Sequence, residues 1–483
     1  MSRENGVGGL VLRAVLPWAV GSPTDMVLGT RCGGGDMRWI AGLGCVVSLS
    51  IAACSAGPVE VTEETFVAWA EDRAVVLDAK DWPNTDPSAL EVLDELIDEA
   101  RVVFLGEPDH YIAEKYDYRL VMIRYLIERG YNYIGMEMGL SDGMRVDRYL
   151  ETGDPAELNR VALYGYRGDM RADRDDLPGS FAAFANREFS DAFIRAEVEF
   201  LSMLRVVSES LPDRLRWFGF DVDIYPGGGY ADLGSVLAPY TADELIRQLE
   251  TASSRVPGES RPEEIERLEA LESYVSDRLP ELVETIGADR AGQVRQILRN
   301  LVESLRFRDL AFREPFGQYW AEGLAYREAA IIGRLDDGWL VQLPDDAKVI
   351  LMGHNFHLSK EGINLSFGSV AEAVPSPLPV SFGSGVADRV TARSIWMLYD
   401  HGTSANSLLD PPYFDVPSHS DRIEHLLAGV APVFVLPLVD DDPRSAWLDQ
   451  DLNFVQNGDY GSGLLRMQAD IVFFVEEVHA VGR

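Results

Sequence analysis

The stretch Val102-Val103-Phe104-Leu105-Gly106-Glu107-Pro108-Asp109-His110 decides how this chain folds and where its chemistry lies. Its first four residues are an unbroken apolar run, which is typical of a strand buried on both faces of a parallel sheet. The run then ends at a carboxylate and an imidazole. Because open α/β sheets bind ligands outside the carboxyl ends of their strands, the stretch predicts a strand that delivers Glu107 and His110 to the rim of a sheet.

The same pattern recurs along the chain, with helical spacing between the apolar runs. Further strands are predicted at residues 133–136, 215–220, 349–352, 394–398, 433–436 and 471–475. Ahead of the first strand, Ser88 and Glu91 form a capping-box pattern that predicts a helix continuing to Ala100. This alternation indicates an α/β fold with a central, largely parallel sheet flanked by helices.

Residues from about 240 to 340 lie between the third and fourth predicted strands and carry no strand-like run. Apolar side chains recur at helical spacing from Ile265 to Leu279. The strands resume after this block, so one core is favoured over two separate domains. The block therefore predicts a long helical insertion that forms a subdomain over the cleft.

The amino terminus predicts a processed segment. A fifteen-residue apolar run follows Arg38, which is shorter than the roughly 20 residues of a membrane span and typical of a secretory signal. The run closes on Ile51-Ala52-Ala53-Cys54, which resembles the lipobox of bacterial lipoproteins. We expect residues 1–53 to combine an over-extended start, with Met37 as a second start, and a lipoprotein signal peptide. An ordinary signal peptide with a chance Cys is the alternative.

In that interpretation Cys54 is acylated and becomes the first mature residue. We expect this lipid to hold a secreted protein at the cell envelope, at the outer membrane or the periplasmic face, without a transmembrane helix. Residues 54–75 are expected to form a tether and residues 76–483 the folded domain. Mass spectrometry of the mature amino terminus would detect the acyl group.

Composition limits the possible partners and chemistry. The 483 residues include 43 Lys and Arg against 79 Asp and Glu, a formal net charge of −36. Such a chain lacks the cations that neutralise phosphates, which excludes nucleic acid as a partner, and its four Lys form no cluster for an anionic membrane. All three Cys lie in the first 54 residues, and no G-x-S-x-G or H-E-x-x-H motif occurs. Histidines and carboxylates must therefore carry the chemistry.

Three of the seven histidines follow predicted buried strands. His110 shares its loop with Glu107, Glu137 ends the second strand, and His354 and His357 follow the fourth. Parallel strands bring these loops to one rim. Two carboxylates and three imidazoles suit general acid–base chemistry, because His titrates near neutrality and a carboxylate fixes its tautomer.

The order of these motifs resembles the erythromycin esterase-like family. The matching residues are Val102 to His110, Ala113-Glu114, Arg119, Gly130-Tyr131, Gly135-Met136-Glu137, Gly219-Phe220-Asp221, Arg327-Glu328, Lys348 to Gly353, His354-Asn355-Phe356-His357 and Ala469 to Phe473. Together they span about residues 85 to 478. A Gly-Glu-x-x-His after an apolar strand, with His-Asn-x-His downstream, is a specific combination.

The resemblance implies a hydrolase built on an α/β scaffold. Such an enzyme would cleave a carboxylic ester or lactone, a macrolide among the candidates, without a nucleophilic Ser. The implied catalytic residues are His110, Glu107, Glu137, His354 and His357, and the implied substrate-binding residues are Arg119, Glu114 and Asn355. In this scheme His110 is the base that activates water. His354 and His357 help to bind the substrate or the developing oxyanion.

Two alternatives stay open. The same five residues Glu107, His110, Glu137, His354 and His357 could hold a divalent metal such as Zn or Mn, whereas the leading reading needs no cofactor. Activity before and after chelation separates these readings. In the third reading, the protein is a surface lipoprotein that binds haem or another cofactor through the rim histidines. A Soret band on haem titration would support it.

Overall fold

Within the part of the chain that the structure describes, nine strands form a central sheet in this computed structural model. The described residues are 61–158, 161–163, 166–167, 187–223, 227–237, 262–311, 318–336, 343–361, 364–366, 381–405, 411–439 and 441–483. The predicted signal segment 1–53 and the predicted lipidation site Cys54 lie outside them.

The central sheet is accompanied by two small sheets. The strands are β1 (Val75–Val76), β2 (Val102–Glu107), β3 (Tyr131–Gly139), β4 (Ala162–Leu163), β5 (Tyr166–Arg167), β6 (Arg216–Asp221), β7 (Lys348–His354), β8 (Asn364–Ser366), β9 (Ala392–Ala405), β10 (Tyr413–Val416), β11 (Val433–Pro437), β12 (Asp451–Gln456), β13 (Asp459–Leu464) and β14 (Ile471–Val478). One small sheet contains β12, β13 and β8, and the other contains β4 and β5.

The central sheet has the strand order β1-β11-β14-β9-β2-β7-β3-β6, with β10 paired to β9. Every neighbouring pair from β14 to β6 is parallel. The pairings of β1, β11 and β10 are antiparallel. The predicted α/β fold with a largely parallel sheet is therefore confirmed, and all seven predicted strands occur in it.

Strand β2 lies in the middle of this sheet, between β9 and β7. All its residues are buried. Val103 and Leu105 pack into the large hydrophobic core on one face, while Val102 and Phe104 pack into a second core on the other. Burial on both faces explains why the sequence of this strand is continuously apolar instead of alternating.

Helices cover both faces of the sheet. They are α1 (Glu63–Arg73), α2 (Asp94–Ile97), α3 (Glu114–Ile127), α4 (Leu140–Thr152), α5 (Arg187–Glu209), α6 (Gly227–Leu237), α7 (Pro262–Asp277), α8 (Leu279–Ile286), α9 (Ala288–Ala311), α10 (Gln318–Gly333), α11 (Phe382–Ala387), α12 (Ile423–Leu427) and α13 (Leu465–Gln468). Within the described ranges, none of these helices has the length and apolarity needed to cross a bilayer.

Every helix or strand that the structure describes between β6 and β7 is a helix. Helices α6 to α9 have a hydrophobic core of their own, in which Leu237, Leu268, Leu282 and Leu298 are fully buried. Helix α10 packs against α9 and leads back towards β7. The predicted helical insertion is thus present, and α10 is the part of it that reaches the rim of the sheet.

The predicted tether over residues 54–75 is wrong for its described part. Helix α1 begins at the N-cap Thr62, whose hydroxyl accepts a hydrogen bond from the third residue of the helix. Phe66 and Trp69 are fully buried, and Phe66 stacks on Trp447 with ring centroids 4.9 Å apart. Glu63 and Glu64 in the first turn stabilise the positive end of the helix dipole.

The helix predicted from Ser88 to Ala100 is also wrong over its first half. Residues Pro87–Leu93 form a 3₁₀-helix, and only α2 after them is α-helical. Asp86, and not Ser88, caps this segment, because its carboxylate accepts a hydrogen bond from the Ser88 amide at 2.9 Å. Pro87 fits the first position of a helix, where its missing N–H removes no hydrogen bond.

Glu424 on α12 is a carboxyl group buried in this fold. Its Oε1 accepts a hydrogen bond from the Val455 amide at 2.8 Å, while Oε2 is buried without a hydrogen-bond partner among the described residues. Burial raises the pKa of Glu424 to about 8. The protonated form is therefore the one that the folded protein prefers at neutral pH.

We expect Glu424→Gln to flatten the dependence of stability on pH. Because the folded pKa of Glu424 is raised, its contribution is fully present below about pH 4.5 and is lost as pH rises to 8, by on the order of 4 kcal/mol. Urea denaturation at pH 5 and pH 8 measures this loss. The exposed Glu95→Gln is the matched control. Equal losses in wild type and Glu424→Gln would contradict the prediction.

Candidate active site

The carboxyl ends of β2, β3 and β7 meet at one rim of the sheet. Glu107 at the end of β2 is the Cα partner of His354 at the end of β7. The amide of His354 in turn donates a hydrogen bond to Glu137 on β3, at 2.8 Å from its Oε2. The rings of His110 and His354 lie 5.1 Å apart, and His357 Nε2 lies 3.2 Å from Glu137 Oε1. The structure thus brings all five predicted catalytic residues together.

Glu107 and His110 form a hydrogen-bonded pair at the centre of this group. His110 Nδ1 lies 2.7 Å from Glu107 Oε1. An ionised carboxylate can only accept a hydrogen bond, so the ring proton lies on Nδ1 and the lone pair of the neutral imidazole lies on Nε2. The side chain of His110 is 19% exposed and that of Glu107 is fully buried. The pair therefore presents a basic imidazole at the surface and holds it by a carboxylate underneath.

Positive charges keep Glu107 ionised. Arg119 Nη2 lies 2.5 Å from Glu107 Oε2, in an ion pair without hydrogen-bond alignment, and Lys115 Nζ lies 3.9 Å from Oε1. Burial opposes ionisation, but these two cations and the hydrogen bond from His110 outweigh it and lower the pKa of Glu107 to about 2. Glu107 is a carboxylate throughout the neutral range.

The neighbouring Asp109 faces away from this pair. Its Oδ1 accepts a hydrogen bond from the Tyr111 amide at 2.9 Å, and its Oδ2 accepts one from the Ser404 hydroxyl. The Tyr399 hydroxyl lies 3.5 Å from the same Oδ2. Burial raises the pKa of Asp109. Asp109 thus fastens the loop of His110 to strand β9.

His354 is a neutral imidazole between two loops. Burial, together with the charge of His110, lowers the pKa of His354 to about 3. Its Nε2 lies 3.1 Å from the Pro108 carbonyl oxygen, and its Nδ1 accepts a hydrogen bond from the Phe356 amide at 3.2 Å. The tautomer with the proton on Nε2 satisfies both contacts. His354 therefore holds the loop after β7 against the loop that carries His110.

A second charged group lies beside the first and is centred on Arg327 of α10. Arg327 Nη2 donates to Glu137 Oε1 at 2.8 Å, and its Nε donates to Asp221 Oδ1 at 2.8 Å. All three side chains are buried. Burial opposes ionisation of Glu137, but the charges of His357 and Arg327 outweigh it and lower the pKa of Glu137. Arg327 thus connects the helical insertion to the ends of β3 and β6.

His357 completes this second group. Its Nδ1 contacts Glu328 Oε1, and its Nε2 lies 3.2 Å from Glu137 Oε1 and 3.0 Å from Arg327 Nη1. Burial lowers the pKa of His357, but Glu137 and Glu328 outweigh burial and raise it. Its Nδ1–H donates to Glu328, and its Nε2 accepts from the Arg327 guanidinium, which can only donate. The other oxygen of Glu328 accepts from the Phe382 amide at 2.7 Å, which fixes the start of α11.

The predicted substrate-binding residues have other contacts in the structure. Arg119 is fully buried against Glu107, so it orients that carboxylate from below. Both carboxylate oxygens of Glu114 lie 2.8 Å from His479, one from its amide and one from Nδ1. Asn355 is fully buried behind Gly106, where a Cβ would meet its Oδ1 at 2.2 Å. These contacts show all three residues supporting the loops of the site, and the contact with substrate that the resemblance implies stays a prediction.

The carboxylates of the site are poor candidates for metal ligands. Glu107 is paired with Arg119, and Glu137 is paired with Arg327. A divalent ion would have to displace or outcompete these buried guanidinium groups. Across the described ranges, no three His, Cys, Asp or Glu side chains form an arrangement that could hold a metal ion.

Sequence reasoning missed the roles of several residues. The family resemblance includes Asp221, Arg327 and Glu328. It does not, however, predict that these three side chains lie in the site. Asp221 ends β6, so the rule that selected Glu107 and Glu137 could have selected it too. Arg327 and Glu328 lie within α10, and their sequence carries no signal that they face the sheet.

Comparisons with known proteins agree with this architecture. The family described as Erythromycin esterase matches residues 127–478. Erythromycin esterase type I of Escherichia coli is 25% identical over 331 residues, which are 64% of this chain and 72% of that protein.

Two solved structures share the fold. A mutant of erythromycin esterase EreC in its open conformation covers 83% of this chain and 96% of its own, at 17% identity and a TM-score of 0.57. A protein described as a succinoglycan biosynthesis protein covers 87% of this chain and 99% of its own, at 15% identity and a TM-score of 0.62. Because the family match spans well over half of the sequence, the chain belongs to the erythromycin esterase family.

Proposed function

We propose that this protein hydrolyses a carboxylic ester or lactone with a water molecule activated by His110. The observation that carries the proposal is the pair of a buried, ionised Glu107 and a partly exposed His110 joined at 2.7 Å. In such a pair, Nε2 of the histidine can accept a proton and so act as a general base. Membership in the erythromycin esterase family supports a hydrolase of this type.

In the proposed reaction, His110 Nε2 removes a proton from water as the water oxygen attacks the ester carbonyl carbon. The carbonyl π bond breaks, and its electron pair becomes a tetrahedral oxyanion. When the oxyanion collapses, the bond to the leaving alkoxide breaks and the His110 imidazolium returns the proton to it. The products are a carboxylic acid and an alcohol, joined in one molecule when the substrate is a lactone.

The remaining residues prepare this step. Glu107 stabilises the imidazolium that forms on His110, and Arg119 keeps Glu107 charged and in place. His354 is the imidazole next to His110, and we assign its Nε2–H to the oxyanion, to which it turns from the Pro108 carbonyl when substrate is bound. The group around Arg327 and His357 holds the loop of His354 through Glu137.

The names of the relatives suggest erythromycin, a macrolide lactone, as one candidate substrate. The test is a panel of aryl esters, alkyl esters, small lactones and macrolides, assayed with wild type and His110→Asn side by side. Product that carries one added water, formed by wild type alone, is the expected result. Cleavage at equal rates by both proteins would overturn the role of His110.

We expect turnover to survive the removal of divalent metals. The two carboxylates of the site already have guanidinium partners, so the proposed step draws its base from His110 alone. The measurement is the hydrolysis rate of protein dialysed against a chelator and checked for metal content by mass spectrometry. Loss of activity that Zn or Mn restores would establish the metal-dependent alternative instead.

A further inference from the structure

A buried ion pair lies directly behind the loop of His110. Lys115, in the first turn of α3, and Glu197, in the middle of α5, are both fully buried. Lys115 Nζ lies 3.2 Å from Glu197 Oε1. Among the described residues, no other ion pair between α3 and α5 is buried to this degree, and Glu197 reaches the site through Lys115.

Lys115 touches the loop of His110 at two points. Its ammonium donates a hydrogen bond to the main-chain carbonyl oxygen of His110. The same nitrogen lies 3.9 Å from Glu107 Oε1, the oxygen that holds His110 Nδ1. One side chain therefore fixes the backbone of the base and adds positive charge beside the carboxylate that orients it.

Glu197 fixes Lys115 in turn. Its Oε1 also accepts a hydrogen bond from the Tyr116 hydroxyl at 2.9 Å, and the Lys115 ammonium lies 5.0 Å from the centre of the Phe193 ring, one helical turn before Glu197. Burying such a pair costs desolvation energy that apolar side chains of similar volume would avoid. Its contribution is therefore to geometry more than to stability.

We propose that Lys115 and Glu197 are positioning residues that hold the base His110 against its carboxylate by coupling helix α5 to the loop of His110. This inference rests on the proposed function and adds two residues that act through His110 and Glu107. Losing the ammonium frees the carbonyl oxygen of His110, which lets the imidazole drift from the position where it meets water. A misplacement of about 1 Å at a reacting group lowers turnover by up to about 100-fold.

The test compares Lys115→Met, Glu197→Gln, the double variant and Lys115→Arg on the substrate found in the panel. We expect Lys115→Met to lower kcat by about 10- to 100-fold with KM changed less than about threefold. Lys115→Arg keeps a cation, and its kcat should be at least tenfold higher than that of Lys115→Met. The double variant, which leaves no unpaired buried charge, should have a kcat no lower than that of Lys115→Met, because both residues act through one contact.

Arg145→Met is the matched control, since Arg145 forms a buried pair with Asp232 between α4 and α6, at 3.4 Å. It should cost stability and leave kcat unchanged. Hydrogen exchange at the amides of Glu107 and of residues 109–111 needs no substrate and should accelerate in Lys115→Met but not in Arg145→Met. Wild-type kcat and wild-type exchange in Lys115→Met would overturn the inference. Faster exchange in a protein that hydrolyses no ester would instead overturn the proposed function and leave the positioning role intact.

Discussion

Replacing His110 by Asn is expected to lower kcat by about 10³-fold while the protein stays folded. Asn can still hydrogen-bond to Glu107, but it cannot accept a proton from water at neutral pH. Loss of a general base costs between about 10² and 10⁴ in rate. Steady-state kinetics on the confirmed substrate measure the loss, and the unfolding midpoint in urea shows whether the fold is kept.

His401→Asn is the matched control for that experiment. His401 also pairs with a carboxylate, at 3.1 Å from Asp400, but it lies on β9 outside the group around His110. We expect its kcat to stay within about twofold of wild type. Equal losses in both variants would point to a general effect of removing imidazoles, and full activity in His110→Asn would remove this residue from the reaction.

Arg119→Met is expected to lower the free energy of unfolding by about 3 to 5 kcal/mol, because it takes the closer of two cations from the fully buried Glu107. The effect depends on pH. The pKa of Glu107 is lowered to about 2, so its contribution to stability is present above about pH 4.5 and is lost as pH falls towards 2. The deficit of Arg119→Met should therefore be largest at neutral pH. Urea denaturation at pH 7 and pH 3 measures it.

Two controls identify the cause of that deficit. Glu107→Gln combined with Arg119→Met removes both charges, and we expect it to be more stable than Arg119→Met alone. Arg389→Met breaks an ion pair with the exposed Asp336 and should cost less than about 1 kcal/mol. A double variant as unstable as the sum of its single variants would show that the two side chains act independently.

Most of the sheet follows from the sequence because its strands are buried on both faces. A run such as Val102 to Leu105 has one stable environment, the interior of a parallel sheet, and polar residues after it must lie at the rim. The predictions that are wrong concern short polar segments. Around Ser88, Asp86 and Pro87 impose a 3₁₀ turn on a pattern that also suits an α-helix. Helix α1 was not predicted because its sequence begins with acidic residues, whereas the buried side chains of Phe66 and Trp69 anchor it to the core.

The residues of the candidate site also fall into two groups, those whose positions the sequence predicts and those whose positions it does not. The positions of His110, Glu107, Glu137 and His354 could be predicted from the sequence, since each lies at, near or just after the carboxyl end of a buried strand. The positions of the charged residues behind them could not. Arg327 and Lys115 lie on helices, where a cation normally faces solvent, and only tertiary packing turns them inward against carboxylates. The supporting contacts therefore require the structure.

The insertion of the helical block between β6 and β7 bears on how this scaffold changes over time. Only β3 separates these two parallel strands, so the block leaves at the carboxyl end of β6 and rejoins at the amino end of β7, roughly 20 Å away along the strand direction. The entropic cost of closing such a connection grows only slowly with the length of the connecting segment. The part of the block before α10 can therefore be lengthened, trimmed or exchanged without altering a strand pairing or the contacts that Arg327 of α10 makes with Glu137 and Asp221. Under the proposed function, substrate range can diverge through this part of the block, while Glu107, His110 and His354 at the ends of β2 and β7 are inherited unchanged.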